Sequence, residues 1–195
     1  MAENKVSGVD IFMAGAKKQE EGIMPSSQGP TQSFMDHLSD REGFRSKVYK
    51  DSLGKLTAGT GHLLTKKELL KYKEGDIIDE DITAAWLKKD SAKAYAAGVS
   101  QAKELGIKDQ GMIEALGAVN FQLGPGWRKK FSKTWGAMKA GDFDLAASEA
   151  TFQTPGKNLG LGPPEPSNWM KQTPKRVGDF VKSLRSYGSS VKGLT

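Results

Sequence analysis

The chain has 195 residues, of which 29 are lysine or arginine and 23 are aspartate or glutamate, so its formal net charge is +6. It contains no cysteine and only 2 histidines, His37 and His62, which excludes a disulfide frame, a cysteine nucleophile and a metal site with three histidine ligands. No apolar run reaches the roughly 18 residues that a membrane span needs, and the N-terminus lacks the apolar core of a signal peptide. We therefore expect a soluble protein, made in a reducing compartment, that needs no cofactor or metal.

Lysines and arginines concentrate in two stretches, residues 128–133 and 171–192. Such stretches are typical of a solvated basic surface, and they also fit an anionic partner, either nucleic acid or a polymer of the bacterial envelope. The sequence has no helix-turn-helix, zinc-finger or single-strand-binding signature. We therefore expect no nucleic-acid partner, and the charge alone leaves the other interpretations open.

Residues 1–33 are predicted to form a flexible N-terminal arm and linker. Residues 22–33 are rich in glycine, proline and serine, as linkers are, whereas residues 6–13 contain enough apolar side chains for a short helix. The arm is therefore either a flexible terminus or a docking segment for a partner. In both cases we expect it to be dispensable for activity.

The first predicted helix begins at Ser33 and ends after Glu42. A capping box over 33–36 favours this start. Phe34, Leu38 and Glu42 then follow at intervals of four residues, which places them on one face of the helix. Glu42 thus continues an apolar stripe to the end of the helix.

Short antiparallel strands are predicted between Arg45 and His62, where β-branched residues alternate with glycine-rich turns. A capping box over 65–68 opens a small helix, and Asp79 caps a long helix that ends near Gly106. Further helices are predicted at 109–121, 127–140, 142–151 and 174–187, and an irregular surface loop at 154–168. The outline is an α+β, mostly helical chain with a small antiparallel sheet lobe, a long connecting helix and a helical lobe.

Two carboxylates in this outline differ in their expected surroundings. Glu42 ends an apolar helix face, whereas Asp51 opens a turn, Asp-Ser-Leu-Gly. A carboxyl group shielded by apolar surface stays protonated and acts as an acid, and one at a wet turn stays ionised and acts as a base. Glycoside cleavage requires this division of roles. The spacing alone is weak evidence, because an arbitrary glutamate and aspartate at this spacing are more often structural.

The segment REGFRSKVYKDSLGKLTAGTGHLLT, residues 41–65, resembles the active-site segment of the phage lysozymes, the endolysin-type muramidases of tailed phages. The shared pattern comprises Glu42-Gly43, Tyr49-Lys50-Asp51, Thr57 and the Gly-Thr-Gly-His sequence at 59–62. Two later segments are similar to the same family, VNFQLG at 119–124 and NWMKQTPKRV at 168–177. The resemblance covers about residues 34–187 and leaves the arm outside it.

The resemblance implies a two-lobed lysozyme-like fold with a cleft between the lobes. The expected domain spans 34–195, with a small α/β lobe at 34–90 and a helical lobe at 91–195. The loop at 152–167 is longer than compact family members need. The implied activity is hydrolysis of the β-1,4 bond between N-acetylmuramic acid and N-acetylglucosamine in peptidoglycan. Inversion at the anomeric carbon is expected, because an Asp and Thr pair suits holding a water rather than direct attack.

By the same resemblance, Glu42 is the general acid, Asp51 is the base or electrostatic partner, and Thr57 helps to hold the water. Gln122 lines the cleft, and Arg176 reaches back toward Glu42. Each of the last three has a structural alternative: Thr57 as a strand residue, Gln122 as a helix-end cap, and Arg176 as a surface charge.

Three further residues are expected to be structural and near the site. Trp169 is expected in the core. Asp90 shares the apolar stripe of the long helix, where an acid needs a partner because desolvating an unpaired charge is costly. The resemblance pairs it with His62. The alternative is a bond from His62 to a backbone carbonyl, with Asp90 exposed.

The expected partner is peptidoglycan, with a possible virion or assembly partner through residues 1–33. We expect synthesis in the host cytoplasm and access to the cell wall through a holin pore or as a virion component. Two rival functions remain. A lytic transglycosylase keeps the acid but needs no Asp51 to orient water, and a non-catalytic virion protein would use the lysozyme scaffold and the arm for assembly.

Overall fold

The computed structural model describes residues 29–51, 53–153 and 164–193, so the greater part of the predicted arm lies outside the described residues. A small antiparallel sheet precedes a long helix, and mainly helices follow it. In chain order the elements are α1 (Gln32–Glu42), β1 (Arg45–Lys50), β2 (Leu56–Gly59), β3 (His62–Leu63), a 3-10 turn (Glu68–Leu70), α2 (Glu80–Glu104), α3 (Gln110–Leu123), α4 (Trp127–Lys130), α5 (Ser132–Lys139), α6 (Phe143–Thr151), β4 (Phe152–Gln153), β5 (Glu165–Pro166), α7 (Asn168–Gln172) and α8 (Pro174–Lys192).

Buried apolar side chains form a smaller cluster in the sheet lobe and a larger one among the helices. Val48, Ala58 and Ile78 pack against Trp86 in the smaller cluster, and Trp86 belongs to the N-terminal half of α2. Tyr95, later on α2, belongs to the larger cluster. The long helix therefore joins two cores, which confirms the predicted α+β fold with two lobes.

The helix α1 packs on the helical lobe, because Phe34 and Leu38 belong to the larger cluster. The predicted division of the domain grouped this helix with the small lobe at 34–90. The division of the domain into lobes at residue 90 stays a prediction. For the site, it matters that α1 packs in the larger core while its C-terminal end reaches the small sheet.

The sheet has the strand order β1-β2-β3, with both neighbouring pairs antiparallel. Thr57 of β2 pairs with Tyr49 on one side and Leu63 on the other. The turn from β2 to β3 uses Gly59 and Gly61, whose φ angles of 63° and 75° favour glycine. The short strands predicted between Arg45 and His62 from the glycine-rich pattern are therefore confirmed.

The predicted start of the first helix at Ser33 is wrong. Thr31 caps α1, and its Oγ1 accepts a hydrogen bond from the amide of Phe34 at 3.0 Å. The same hydroxyl donates to Glu114 of α3 at 2.8 Å. This tertiary contact selects Thr31 over Ser33, which lies within the first turn, and the pattern of α1 alone does not reveal it.

The helix predicted at 127–140 is interrupted at Phe131, whose backbone is not helical at φ −112° and ψ 52°. The Phe131 ring instead packs against Trp169 at 5.0 Å between centroids. The helical pattern of apolar residues continues through Phe131. The packing of Phe131 against the distant Trp169 therefore overrides the local preference for a helix.

The prediction of an irregular loop over 154–168 is wrong at the C-terminal end of that range. Residues 152–153 pair with residues 165–166, and Ser167 caps α7 by accepting a bond from Met170 at 3.0 Å. This pairing depends on two strands of only two residues each, too short to have a sequence signature. Residues 154–163 lie outside the described part of the chain. Within the described ranges, no helix is both long and apolar enough to cross a membrane.

Candidate active site

Glu42 is the last residue of α1, and Gly43 ends the helix with a φ of 70°. Its Oε2 accepts a hydrogen bond from Nη2 of Arg176 at 2.7 Å, and its side chain is only 14% exposed. A Cβ built on Gly61 would lie 3.7 Å from the same oxygen. The carboxyl group therefore lies between the N-terminal turn of α8 and the turn from β2 to β3.

Two opposing effects act on the acidity of Glu42. Burial raises its pKa because the charged form loses water, and the charge and hydrogen bond of Arg176 lower it. Burial is the larger effect, so the pKa of Glu42 is raised above its ordinary value. Glu42 therefore keeps its proton to a higher pH than an exposed glutamate would, which is the direction that a general acid needs.

Asp51 follows β1 and opens the turn to β2. Its Oδ1 accepts hydrogen bonds from the amides of Leu53 and Lys55, each at 2.8 Å. The buried Thr57 donates its hydroxyl hydrogen to the Lys55 carbonyl at a long 3.2 Å. The structure therefore brings Asp51 and Thr57 to the backbone of one residue, Lys55, at the end of the β1–β2 hairpin.

Gln122 lies near the end of α3 and connects it to the α7–α8 corner. Its Oε1 accepts a bond from Nε1 of Trp169 at 3.1 Å, and its amide nitrogen donates to Oγ1 of Thr173 at 2.9 Å. Trp169 is buried in the helical core, as the sequence predicts. The bonds of Gln122 fix the start of α8, the helix that carries Arg176.

A cavity of about 580 Å³ lies between α1, α3 and α8. Glu42, Gln122, Trp169 and Arg176 line it, whereas Asp51 and Thr57 do not. The candidate site residues therefore form two groups, one bordering this cavity and one at the end of the hairpin, with Glu42 touching the β2–β3 turn.

His62 lies between two carboxylates in the small lobe. Its Nδ1 lies 2.5 Å from Oδ2 of Asp90 and its Nε2 lies 3.0 Å from Oε2 of Glu68, while its ring stacks on Trp86. The predicted contact between His62 and Asp90 is confirmed. Burial opposes the charged ring, but the bonds and charges of both carboxylates outweigh it, so the pKa of His62 is raised.

Glu68 was missed as a partner of His62 by the sequence analysis. Its capping-box role was predicted, and its Oε2 does accept bonds from the amide and hydroxyl of Thr65, both at 2.7 Å. Burial raises the pKa of Glu68, but the bonds from Thr65 and the bond and charge of His62 lower it to about 2. The capping box is the sequence signal that could have located this carboxylate, because it turns Glu68 back toward the strand end.

Arg41 and Asp179 were also missed. They form a two-pronged ion pair between α1 and α8, beside Glu42. Their sequence separation of 138 residues leaves no local signal for the contact. Among the residues that the structure describes, no group of three or more histidine, aspartate and glutamate side chains is arranged to hold a metal ion.

The sequence is similar to known phage proteins and lysozymes over most of its length. A family model described as phage lysozyme matches residues 39–160. Peptidoglycan hydrolase gp36 of Pseudomonas phage phiKMV is 30% identical over 94% of this chain, which spans 18% of that protein. The pre-baseplate central spike protein Gp5 of Enterobacteria phage T4 is 26% identical over 87% of the chain and 31% of that protein. The probable T4-type lysozyme 2 of Dictyostelium discoideum is 29% identical over 76% of the chain and 91% of that protein.

The chain thus spans less than a third of the two phage relatives but nearly all of the Dictyostelium one. The family match covers more than half of the chain and includes Glu42, Asp51 and Thr57. It agrees with the two-lobed fold and with the carboxyl group of Glu42 at the junction of the lobes. The chain therefore belongs to the phage lysozyme family.

Proposed function

We propose that this chain is a muramidase that hydrolyses the β-1,4 bond between N-acetylmuramic acid and N-acetylglucosamine in peptidoglycan. The observation that carries the proposal is the contrast between two carboxylates. Glu42 is shielded and has a raised pKa, whereas Asp51 is bound by backbone amides at a surface turn. Glycosidases use such a pair as acid and base.

In the proposed reaction, Glu42 donates its proton to the glycosidic oxygen as the bond to the anomeric carbon breaks. A water oxygen attacks that carbon from the opposite face, and the water proton passes to Asp51. The product is inverted at the anomeric carbon. Water, glycoside and the two carboxyl groups account for every proton.

The contacts of Asp51 and Thr57 support their role in holding this water. The two amide bonds to Oδ1 fix the orientation of the Asp51 side chain. The hydroxyl of Thr57 makes only a 3.2 Å bond to Lys55, so turning it toward a water costs little. Both residues thus have hydrogen-bonding capacity for a bound water.

The net charge of +6 supports peptidoglycan as the substrate. Peptidoglycan carries carboxylates on its peptide stems, and wall phosphates accompany it in many bacteria. A basic surface attracts such a polymer over distances set by the ionic strength.

Analysis of the product ends tests the function directly. Purified peptidoglycan is digested with the full chain, and the fragments are examined by mass spectrometry. The proposal predicts reducing N-acetylmuramic acid ends. Anhydro ends would identify a lytic transglycosylase, and an absence of fragments would favour a non-catalytic role.

A role in the virion is the second candidate, and one observation favours it. The chain is similar to part of a longer phage protein that is named as a pre-baseplate central spike protein. We infer that this domain acts on the wall either from a virion or after passing a holin pore, with residues 1–33 as the candidate attachment. Mass spectrometry of purified virions of the encoding phage separates these routes.

A further inference from the structure

Asp179 lies on α8 and faces the end of α1. Its carboxylate binds Arg41 at two points, with Nε 2.6 Å from Oδ2 and Nη2 3.0 Å from Oδ1. His37, one turn earlier on α1, has its Nε2 3.9 Å from the same Oδ2. The Nη2–Oδ1 contact is a charge-assisted hydrogen bond, whereas the Nε–Oδ2 contact is an ion pair without hydrogen-bond geometry. Asp179 therefore holds the last turn of α1 against α8.

The residue that follows Arg41 is Glu42, and one arginine connects the two. Nη2 of Arg176 donates to the carbonyl oxygen of Arg41 at 3.0 Å and to Oε2 of Glu42 at 2.7 Å. Arg176 lies three residues before Asp179, so both side chains lie on the same face of α8. The four residues form one continuous network from α8 to the carboxyl group.

Apolar packing holds the first part of α1 more firmly than its end. Phe34 and Leu38 are buried in the helical core, and Thr31 binds Glu114. The last four residues of α1 are not buried in this core. The cavity of about 580 Å³ runs along α1 from Ser33 to Glu42, between α1, α3 and α8, and Arg41 and Asp179 line it. The polar network therefore spans a space that side chains do not fill.

We propose that Asp179 is a positioning residue that acts through Arg41 to set where Glu42 lies and how Arg176 engages it. An effect of Asp179 on the rate of cleavage rests on the proposed function of Glu42. An effect of Asp179 on the position and pKa of the Glu42 carboxyl group does not, because it depends only on charge and geometry.

The two single variants have opposite electrostatic effects. The charged groups near Glu42 are Arg176 and Asp179 on α8 and Arg41 and His37 on α1. Asp179→Asn removes an anion and leaves the Arg41 cation without its partner, so it lowers the pKa of Glu42. Arg41→Gln leaves Asp179 free to compete for Arg176, so it raises that pKa.

The test follows the carboxyl carbon of Glu42 by NMR through a pH titration of the full chain. It is applied to Asp179→Asn, Arg41→Gln and the double variant. We expect a downward shift for the first and an upward shift for the second, each of at least about 0.3 pH unit, and a value near wild type for the double variant. On a peptidoglycan substrate, the alkaline limb of the kcat/KM profile moves with the NMR value.

Glu104→Gln is the matched control, because Glu104 binds Arg128 at 2.6 Å and is about as exposed as Asp179. It should leave the titration of Glu42 unchanged. Arg41 and Asp179 are each about one-third exposed, so their variants should fold, which thermal melting verifies.

Shifts of the same sign in both single variants, or no shift in either, would overturn the proposal. A purely structural contact would lower the melting temperature without moving the titration in opposite directions. If the NMR shifts appear and the wild-type chain does not cleave peptidoglycan, the positioning role stands and the proposed function fails.

Discussion

Glu42 has an environment in which its charge is disfavoured although an arginine is bound to it. The folded protein therefore binds the Glu42 proton more tightly than the unfolded chain does. The stability from this group is fully present below the unfolded pKa of about 4.3 and is lost as the pH rises through the higher folded value. The position thus favours chemistry at some cost in stability at neutral pH.

This linkage predicts the behaviour of Glu42→Gln, whose amide does not titrate. The melting temperature of the variant minus that of wild type should increase between pH 4 and pH 8, because the wild-type carboxyl group ionises over this range. The increase should be on the order of a few degrees. Thermal denaturation across this range is the measurement, with Glu104→Gln as a control. A difference that stays constant or falls with pH would contradict the raised pKa.

The ion pairs of His62 with its two carboxylates make the stability of the protein depend on pH. The contribution of His62 is fully present below its unfolded pKa of about 6.5 and is lost as the pH rises through the raised folded value. That of Glu68 is present above its unfolded pKa of about 4.3 and is lost as the pH falls toward about 2. The cluster should therefore stabilise most between these limits.

Double-mutant cycles test this window. We expect His62→Asn to couple with Asp90→Asn, and separately with Glu68→Gln, by about 1 kcal/mol or more near pH 5.5. Both couplings should shrink by pH 9. Absence of coupling at both pH values would mean that the two contacts contribute no stability.

Among the elements, the helices α2 and α3 pack closely at Gly98. A Cβ on Gly98 would lie 2.7 Å from the amide nitrogen of Gly117 and 2.8 Å from the carbonyl oxygen of Ile113. These are backbone atoms, so the helices must move apart to admit a methyl group. Gly98→Ala should destabilise the protein by about 1–3 kcal/mol.

Gly136 in α5 is the matched control for Gly98. A Cβ there would meet nothing within 4 Å, so Gly136→Ala should raise stability by up to about 1 kcal/mol through helix propensity. Chemical denaturation of both variants measures the difference. Equal effects would mean that α2 and α3 are not as close as described.

Sequence patterns predicted the elements whose signals are local. Asp79 precedes the long helix as expected, although its side chain makes no capping bond. The helices predicted at 109–121 and 142–151 begin within one residue of their predicted starts, and the glycines around Thr60 gave the β-turn. The errors occurred where a distant residue decides the outcome. Thr31 caps α1 while it binds Glu114, and Phe131 leaves the helix to pack on Trp169.

The same distinction applies to the site. Glu42, Asp51 and Thr57 lie within one short segment, so their motif is visible in the sequence. Arg41 and Asp179 are far apart along the chain and are brought together only by the fold. Their pairing requires knowing that the end of α1 lies against α8.

At the scale of the whole molecule, the cap at Thr31 moves the predicted boundary of the folded unit. A chain of residues 29–195 should melt within about 2 °C of the full chain, because it keeps the cap and its bond to Glu114. A chain of residues 34–195 should lose about 1 kcal/mol or more. Both should keep turnover at a temperature where they are folded.

Equal melting temperatures for the two shortened chains would show that Thr31 contributes nothing. A large loss of stability or turnover in residues 29–195 would contradict the prediction that the arm is dispensable. The variant Thr31→Ala in the full chain separates the cap from the rest of the removed segment, and Ser33→Ala, expected to change stability by less than about 0.5 kcal/mol, is its control.

In the proposed reaction, Glu42 supplies the proton that cleaves peptidoglycan. The most direct measurement is the initial rate of release of reducing ends from purified peptidoglycan by wild type, Glu42→Gln and Glu104→Gln. Glu42→Gln should lose roughly 100- to 10,000-fold in rate while it still melts cooperatively and binds peptidoglycan, and Glu104→Gln should match wild type. A Glu42→Gln variant that keeps more than about one tenth of the wild-type rate would contradict the assignment of Glu42 as the general acid.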